Sequence, residues 1–223
     1  MSIATWNIRD GRSTGLYSAA RALERMNVDV AIVQETKFTN TDFAARRWAG
    51  FDILTAAAAT KNCGGIALLV KADEQRFSVE NARVMGPNVI SCELITRSGE
   101  GEGDETRWFL TGFYSPPSEK DGTTRRLVER ALETRPEGTR PLAIGDWNAD
   151  LDFPRDRQEE ILSAGMRKHG LSCATRHFMT RRKRRVRCRL TWRQQRGNGR
   201  GDKRWIHAKP DYFLARTVFP QLP

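Results

Sequence analysis

Leu142-Ala143-Ile144-Gly145-Asp146-Trp147-Asn148-Ala149-Asp150 carries the strongest structural signal in the chain. Pro141 ends whatever precedes it, and Leu142, Ala143 and Ile144 form the short apolar run of a buried strand. Gly145 allows a tight turn. Asp146 and Asn148 then stand two residues apart at the strand's exit, where extended alternation puts both on one side. An isolated Asp-x-Asn is commonly a turn that hydrogen-bonds its own backbone. This one is set apart by further junctions of the same kind, apolar runs that end in polar residues, at Asn7, Glu35, Tyr114 and Asp211.

Upstream, Ser2 to Trp6 reads as a strand ending in Asn7, followed by the polar turn Arg9 to Arg12. Leu16, Ala19, Ala20 and Leu23 share one face of a helix expected over 16–26, and Val28 to Val33 is the next strand, ending at Gln34-Glu35-Thr36. A short helix over 38–49, strands over 51–55 and 66–70, and a β pair over 77–84 and 89–96 follow. The Gly/Glu-rich segment from Arg97 to Glu105 reads as a hairpin loop. The strand over 108–114 stops at Tyr114-Ser115-Pro116-Pro117, because paired prolines forbid continuation.

Downstream of Thr123, Leu127, Val128, Ala131 and Leu132 have helical spacing, and 152–165 reads as a loop into a helix with Ile161 and Leu162 inward. The block Arg181 to Arg189 is basic. Two strands, joined by a basic Gly-rich loop over 194–203, are expected near the end, the second containing Lys209-Pro210-Asp211-Tyr212.

The 223 residues suffice for one domain with a sizeable core, taken as 1–223. With 38 Lys+Arg against 27 Asp+Glu, the net charge is +11 and the pI near 10.1, which points to a polyanionic partner. A membrane ranks lower, since no basic amphipathic helix stands out and no apolar run approaches the roughly 20 residues needed to span a bilayer. Met1 to Thr5 lacks the features of a signal peptide, so an intracellular setting is expected. Cys63, Cys92, Cys173 and Cys188 show no CxxC or His pairing and read as reduced structural thiols.

Strands alternating with helices indicate an α/β protein, and polar residues collect at strand C-termini, where open α/β sheets place ligands. Asn7, Glu35, Tyr114, Asp146, Asn148 and Asp211 could thus share one cleft. Their hard oxygen donors suit Mg²⁺, which takes one or two carboxylates and keeps several waters. Such an ion can neutralise charge on a phosphodiester, with Asp146 and Asn148 positioning an attacking water.

These residues, in this order, resemble the endonuclease/exonuclease/phosphatase superfamily. The resemblance runs through TWNIR at the start, QET at 34–36, GFYSPP at 112–117, GDWNAD at 145–150, TW at 191–192 and PDYFL at 210–214. FYSPP, GDWNAD and KPDYFL look most like the endonuclease domain of non-LTR (LINE-type) retrotransposons, which nicks target DNA to start reverse transcription. The resemblance implies a four-layer α/β/β/α sandwich, DNase I-like, lacking its last strand. It implies that Glu35 binds Mg²⁺, with Mn²⁺ as a substitute, helped by Asn7. Tyr114 and Asn148 would contact the scissile phosphate, and Asp146 would activate or orient the nucleophile.

The loop after Trp192 would lie beside double-stranded DNA, giving Arg9, Thr191, Trp192, Arg193, Arg196, Arg200, Arg204 and Lys209 as the expected DNA-contacting set. A reverse transcriptase in the same polyprotein, a monomeric state and a nuclear location are further expectations. The resemblance also calls for a later Ser-Asp-His motif, whose His the residue matching Asp211 would orient. The sequence reaches Pro223 without it, and His169, His177 and His207 all precede Asp211. Catalysis is therefore expected to be impaired. The alternative is a non-catalytic nucleic-acid-binding relic, and a phosphatase or phospholipase of small esters ranks third, because charge favours a polymer.

Overall fold

The computed structural model describes residues 1–9, 15–39, 46–58, 60, 64–73, 75–97, 105–116, 119, 122–148, 157–173, 192–197, 203–208 and 211–216. In chain order the elements are β1 (Ile3–Asn7), α1 (Gly15–Arg25), β2 (Val30–Gln34), β3 (Arg46–Trp48), β4 (Phe51–Ala56), β5 (Ile66–Lys71), β6 (Phe77–Gly86), β7 (Val89–Arg97) and β8 (Glu105–Tyr114). They continue with α2 (Thr123–Glu133), β9 (Arg140–Asp146), α3 (Arg157–Lys168), β10 (Leu171–Cys173), β11 (Trp192–Gly197), β12 (Lys203–Ala208) and β13 (Asp211–Arg216). One sheet has the order β1-β2-β5-β4-β3, the other β10-β13-β9-β8-β7-β6, and β11-β12 forms a separate hairpin. Most neighbours are antiparallel, but β1 and β2 run parallel, as do β8 and β9.

Alternation along the strands builds the layers. Val30 and Ile32 of β2 and Ile66, Leu68 and Val70 of β5 face Ile90, Cys92 and Leu94 of β7, Leu110 of β8, and Leu142 and Ile144 of β9 in a core between the sheets. Residues of opposite parity, Ala31, Val33, Ala67 and Leu69, pack outward against Leu16, Ala20 and Leu23 of α1. On the far side, Val89, Phe113 and Ala143 pack against Val128 and Leu132 of α2 and Leu162 and Met166 of α3. Helix, sheet, sheet and helix make the four-layer α/β/β/α sandwich. Cutting Ile32 or Leu68 back to Ala in the central layer would cost about 2–5 kcal/mol. Cys92 lies in this layer, where burial, helped by the Glu93 charge, pushes its thiol up to about 12, as suits an inert structural cysteine.

The structure departs from the sequence reading in several places. No described residue of 38–49 is helical: Arg46–Trp48 is strand β3, turned back onto β4 through Ala49 and Gly50, both at positive φ. Two positive-φ residues make the tight hairpin turn whose twist suits flanking strands, and this outweighs the helical propensity of the Ala/Arg run. On α3 it is Leu162 and Met166 that turn inward, one helical turn apart, while Ile161 is 37% exposed. Among the described residues of the C-terminal region, 192–216 hold three strands where two were expected. Residues 194–197 and 203 belong to β11 and β12, which narrows the expected loop, and β10 was not anticipated. The 97–105 hairpin is seen in the pairing of Arg97 with Glu105, its tip lying outside the described residues, as does the basic block 181–189. Among the described residues no helix is long and apolar enough to cross a membrane.

Candidate active site

The two parallel pairs bring four strand C-termini to one end of the sandwich. Asn7 of β1 is level with Gln34 of β2, and Tyr114 of β8 with Asp146 of β9. Asn7 has the parity of Ile3, Tyr114 that of Leu110, and Asp146 that of Leu142 and Ile144, so all three continue inward-facing rows at the point where each row leaves the core. Glu35 follows β2 directly, with φ 55, a left-handed conformation that non-glycine residues adopt at an energetic cost.

Hydrogen bonds across the gap tie these side chains together. The Tyr114 hydroxyl donates to Glu35 Oε1 at 2.8 Å. Asn7 Nδ2 donates to the same oxygen at 2.9 Å and to Asp146 Oδ2 at 3.3 Å, so one carboxamide bridges two carboxylates from opposite sheets. The Arg9 N–H donates to Asn7 Oδ1 at 3.0 Å, which sets which face of the amide meets the carboxylates. Lys37 Nζ stands 3.9 Å from Glu35 Oε2. Beneath, the buried Gln34 donates from Nε2 to Thr5 Oγ1 at 2.6 Å and supports β1 against β2.

Asp146 is 3% exposed, and its carboxyl is pushed up from the ordinary 3.8 to about 6. Burial is the main cause, and the nearby Glu35 charge adds to it, while the Asn148 N–H and the Asn7 amide act in the opposite direction. A carboxylate titrating near neutrality can accept a proton from a nucleophile and return it within one cycle.

Gly145 and Asn148 are placed differently from expectation. Gly145 lies within β9, not in a turn, and a Cβ there would overlap the Phe113 carbonyl of the adjoining strand, so glycine is required by close approach. The extended run ends at Asp146. Trp147 turns outward, 4% exposed, and stacks on Phe113 with centroids 4.0 Å apart, anchoring the corner. Asn148 then adopts φ 51, and its N–H donates to Asp146 Oδ1 at 2.8 Å. The Asp-x-Asn is thus both a self-bonded turn and part of the cluster, because the turn fixes the Asp146 carboxylate. Asn148 Nδ2 is directed to the Ser115 carbonyl at 2.8 Å. That anchors the turn to the segment after β8, but the side chain does not join the carboxylates.

Asp211 opens β13, so it comes from a strand's N-terminus, not a C-terminus as expected. Antiparallel pairing still brings it opposite Asp146. Trp192, Arg193 and Arg196 lie on β11 and Arg204 on β12, with Arg196 and Arg204 in register. Only two residues separate Ala208 from Asp211, three Cα–Cα steps that keep the hairpin's root within about 11 Å of the cluster's edge. Arg9 is exposed beside Asn7, and Thr191, Arg200 and Lys209 lie outside the described residues.

Among the described residues no three His, Cys, Asp or Glu side chains converge as metal ligands. Glu35 and Asp146 with carboxamide and phenol neighbours form a sparse oxygen donor set, which suits a hard cation that retains most of its water. The Glu35 and Asp146 carboxylates, bridged by the Asn7 amide, are a like-charge pair of the kind a cation relieves. Glu35 would be the primary ligand, and Asn7 could present its Oδ1 by turning its amide over.

No family model matches the chain, and no curated protein matches it in sequence. Solved structures do. An AP endonuclease from Archaeoglobus fulgidus superposes with a TM-score of 0.65 at 16% identity, over 97% of this chain and 87% of that one. The fold is DNase I-like. AP endonuclease LMAP from Leishmania major shares this DNase I-like fold with a TM-score of 0.60 at 17% identity, over 96% of this chain and 78% of its own. So does the 3′ phosphatase NExo from Neisseria, whose structure holds a product DNA hairpin, with a TM-score of 0.60 at 17% identity over 98% and 87% of the two chains.

Proposed function

We propose that residues 1–223 form a Mg²⁺-dependent DNA endonuclease domain of the LINE-type retrotransposon kind, which nicks one strand of double-stranded target DNA. The observation that carries this reading is the convergence of Glu35, Asn7, Tyr114 and Asp146, from four strands of two sheets, within hydrogen-bonding distance. Glu35 would hold Mg²⁺, or Mn²⁺ in its place, with help from Asn7. The ion supplies charge neutralisation at a phosphodiester oxygen. Asp146 takes the proton of the attacking water, Tyr114 turns its hydroxyl from Glu35 to the phosphate when DNA binds, and Asn148 holds the turn that aims Asp146.

Support for DNA over a small ester comes from the net charge of +11 and from the arginine positions of the β11–β12 hairpin rooted next to Asp211. A DNA-bound neighbour of the same fold agrees with this. A reverse transcriptase in the same polyprotein, a nuclear site of action and a monomeric state belong to this reading.

Conversion of supercoiled plasmid to the nicked form tests it. Nicking with Mg²⁺ or Mn²⁺, abolished by chelation and by Glu35→Ala, is expected. Salt-dependent duplex binding without nicking at any metal concentration would instead establish a non-catalytic nucleic-acid-binding protein.

A further inference from the structure

Asn88 belongs to the turn between β6 and β7, in the second sheet, and no part of the proposed chemistry uses it. Two of its atoms reach toward the site from different directions. Its side-chain Oδ1 accepts the Gly65 N–H at 3.2 Å, and its backbone carbonyl accepts the Tyr114 N–H at 2.9 Å. Tyr114 is the residue whose hydroxyl meets Glu35.

Gly65 belongs to the first sheet's side, at the entry to β5, and together with Gly64 it holds the Glu35 loop. The Thr36 N–H donates to the Gly65 carbonyl at 3.3 Å, and the Lys37 N–H to the Gly64 carbonyl at 3.1 Å. Within this loop Glu35 and Lys37 are both left-handed, each with φ 55. Two such residues in a run of three persist only where the surroundings over-determine them. Gly65 itself has φ +81, and a Cβ on it would come within 2.5 Å of Thr36 Oγ1, so the ladder requires glycine. Asn88 therefore joins the backbone that holds Glu35, in one sheet, to the strand end that carries Tyr114, in the other.

We propose that Asn88 is a positioning residue of the active site: it sets the Glu35 loop against the end of β8, and so fixes the separation across which Glu35, Tyr114 and Asp146 meet. Its effect is exerted through Gly65 and the Thr36–Lys37 backbone, without contact to substrate. The catalytic part of this proposal rests on the nuclease reading, whereas the positioning part does not.

Asn88→Ala removes Oδ1 and keeps the carbonyl that Tyr114 uses, and Asn88→Asp restores an acceptor at the same place. Residue-resolved amide exchange in metal-free protein is the first measurement. Asn88→Ala should accelerate exchange at Gly65, Thr36 and Lys37 by about tenfold, and Asn88→Asp should return it close to wild type. Mn²⁺ titration without DNA should show affinity weakened several-fold in Asn88→Ala. In the plasmid assay kcat should fall about tenfold with KM for DNA unchanged, the signature of misplaced catalytic groups with intact substrate binding. Unchanged exchange at Thr36 and Lys37 would overturn the proposal, as would a kcat within twofold of wild type despite faster exchange. If the wild-type protein nicks nothing, the nuclease reading fails while exchange and Mn²⁺ affinity still decide the role of Asn88.

Discussion

The Tyr114 hydroxyl and Glu35 Oε1, 2.8 Å apart, form a hydrogen bond that runs from the second sheet to the first. Tyr114 is 2% exposed, so this bond is made largely out of contact with bulk water. A hydrogen bond to a charged group contributes about 1.5–3 kcal/mol, discounted here to about 1–2 because Glu35 keeps some solvent. Tyr114→Phe should therefore lower the melting temperature by about 3–6 °C. It should also slow plasmid nicking at least tenfold, on the order of one lost donor at the reacting centre. Unchanged melting and nicking would show that the bond holds nothing in place.

Asp146 gives a prediction in pH. Its carboxyl is raised by burial from 3.8 to about 6, so the folded state binds its proton more tightly than the unfolded state does. Stability from this group is complete below about pH 4 and is lost as pH rises through about 6, at an upper limit of about 3 kcal/mol. Asp146→Asn cannot ionise and escapes that loss, although its amide would face the Asn7 amide. In chelator the variant should melt about 2–6 °C above wild type at pH 8, and the gap should close toward pH 4. It should also nick no DNA. A variant less stable than wild type at pH 8 would refute the account of Asp146 as a destabilised carboxylate.

How much of this could be read from residues alone varies with the range of the interaction. Most strands of the two sheets, though not β3 and β10, and α1 and α2 were legible, because the period of their apolar residues survives burial: Leu16, Ala19, Ala20 and Leu23 all face inward as their spacing demands. Asn7, Glu35, Tyr114 and Asp146 were legible as strand ends; parity brings Asn7, Tyr114 and Asp146 together, while Glu35, one residue past β2, joins them through its left-handed backbone. What alternation could not supply was the conformation after each strand. Asn148, Glu35 and Lys37 are left-handed, and no periodicity announces that. Asn88, Gly65 and Trp147 act through backbone carbonyls, close approach and stacking across chain separations that a local pattern does not encode. Lys37 directly follows QET in the sequence, and its charge complementarity to Glu35 is the signal that marks it.

Gly145 tests the packing beneath the site. A methyl there would overlap the Phe113 carbonyl and press on its ring, and Phe113 is fully buried against Trp147. Neither the strand backbone nor a stacked ring can yield cheaply, so Gly145→Ala should destabilise by about 3 kcal/mol. Urea unfolding reads this as a lower midpoint with an unchanged slope. A loss under about 1 kcal/mol would mean that β8 and β9 can separate at Phe113, and that the corner at Trp147 is not anchored as described.

On the proposed reading, Lys37 and the divalent cation compete for one carboxylate. The ammonium lies 3.9 Å from Glu35 Oε2, the oxygen that neither Tyr114 nor Asn7 uses, and both side chains are largely shielded, 17% and 21% exposed. A cation that enters on Oε2 must displace this partner and accept its repulsion, which at such range in a partly shielded site is worth about 1 kcal/mol. Lys37→Met keeps the length of the side chain and removes the charge. Mn²⁺ affinity, measured by titration without DNA at pH 7.5, should rise about fivefold in this variant, while Glu35→Ala should lose binding in either background. If Lys37→Met binds Mn²⁺ no more tightly than wild type, the ammonium is not the counter-ion of Glu35 when the cation arrives, and the approach to the carboxylate must lie on another side.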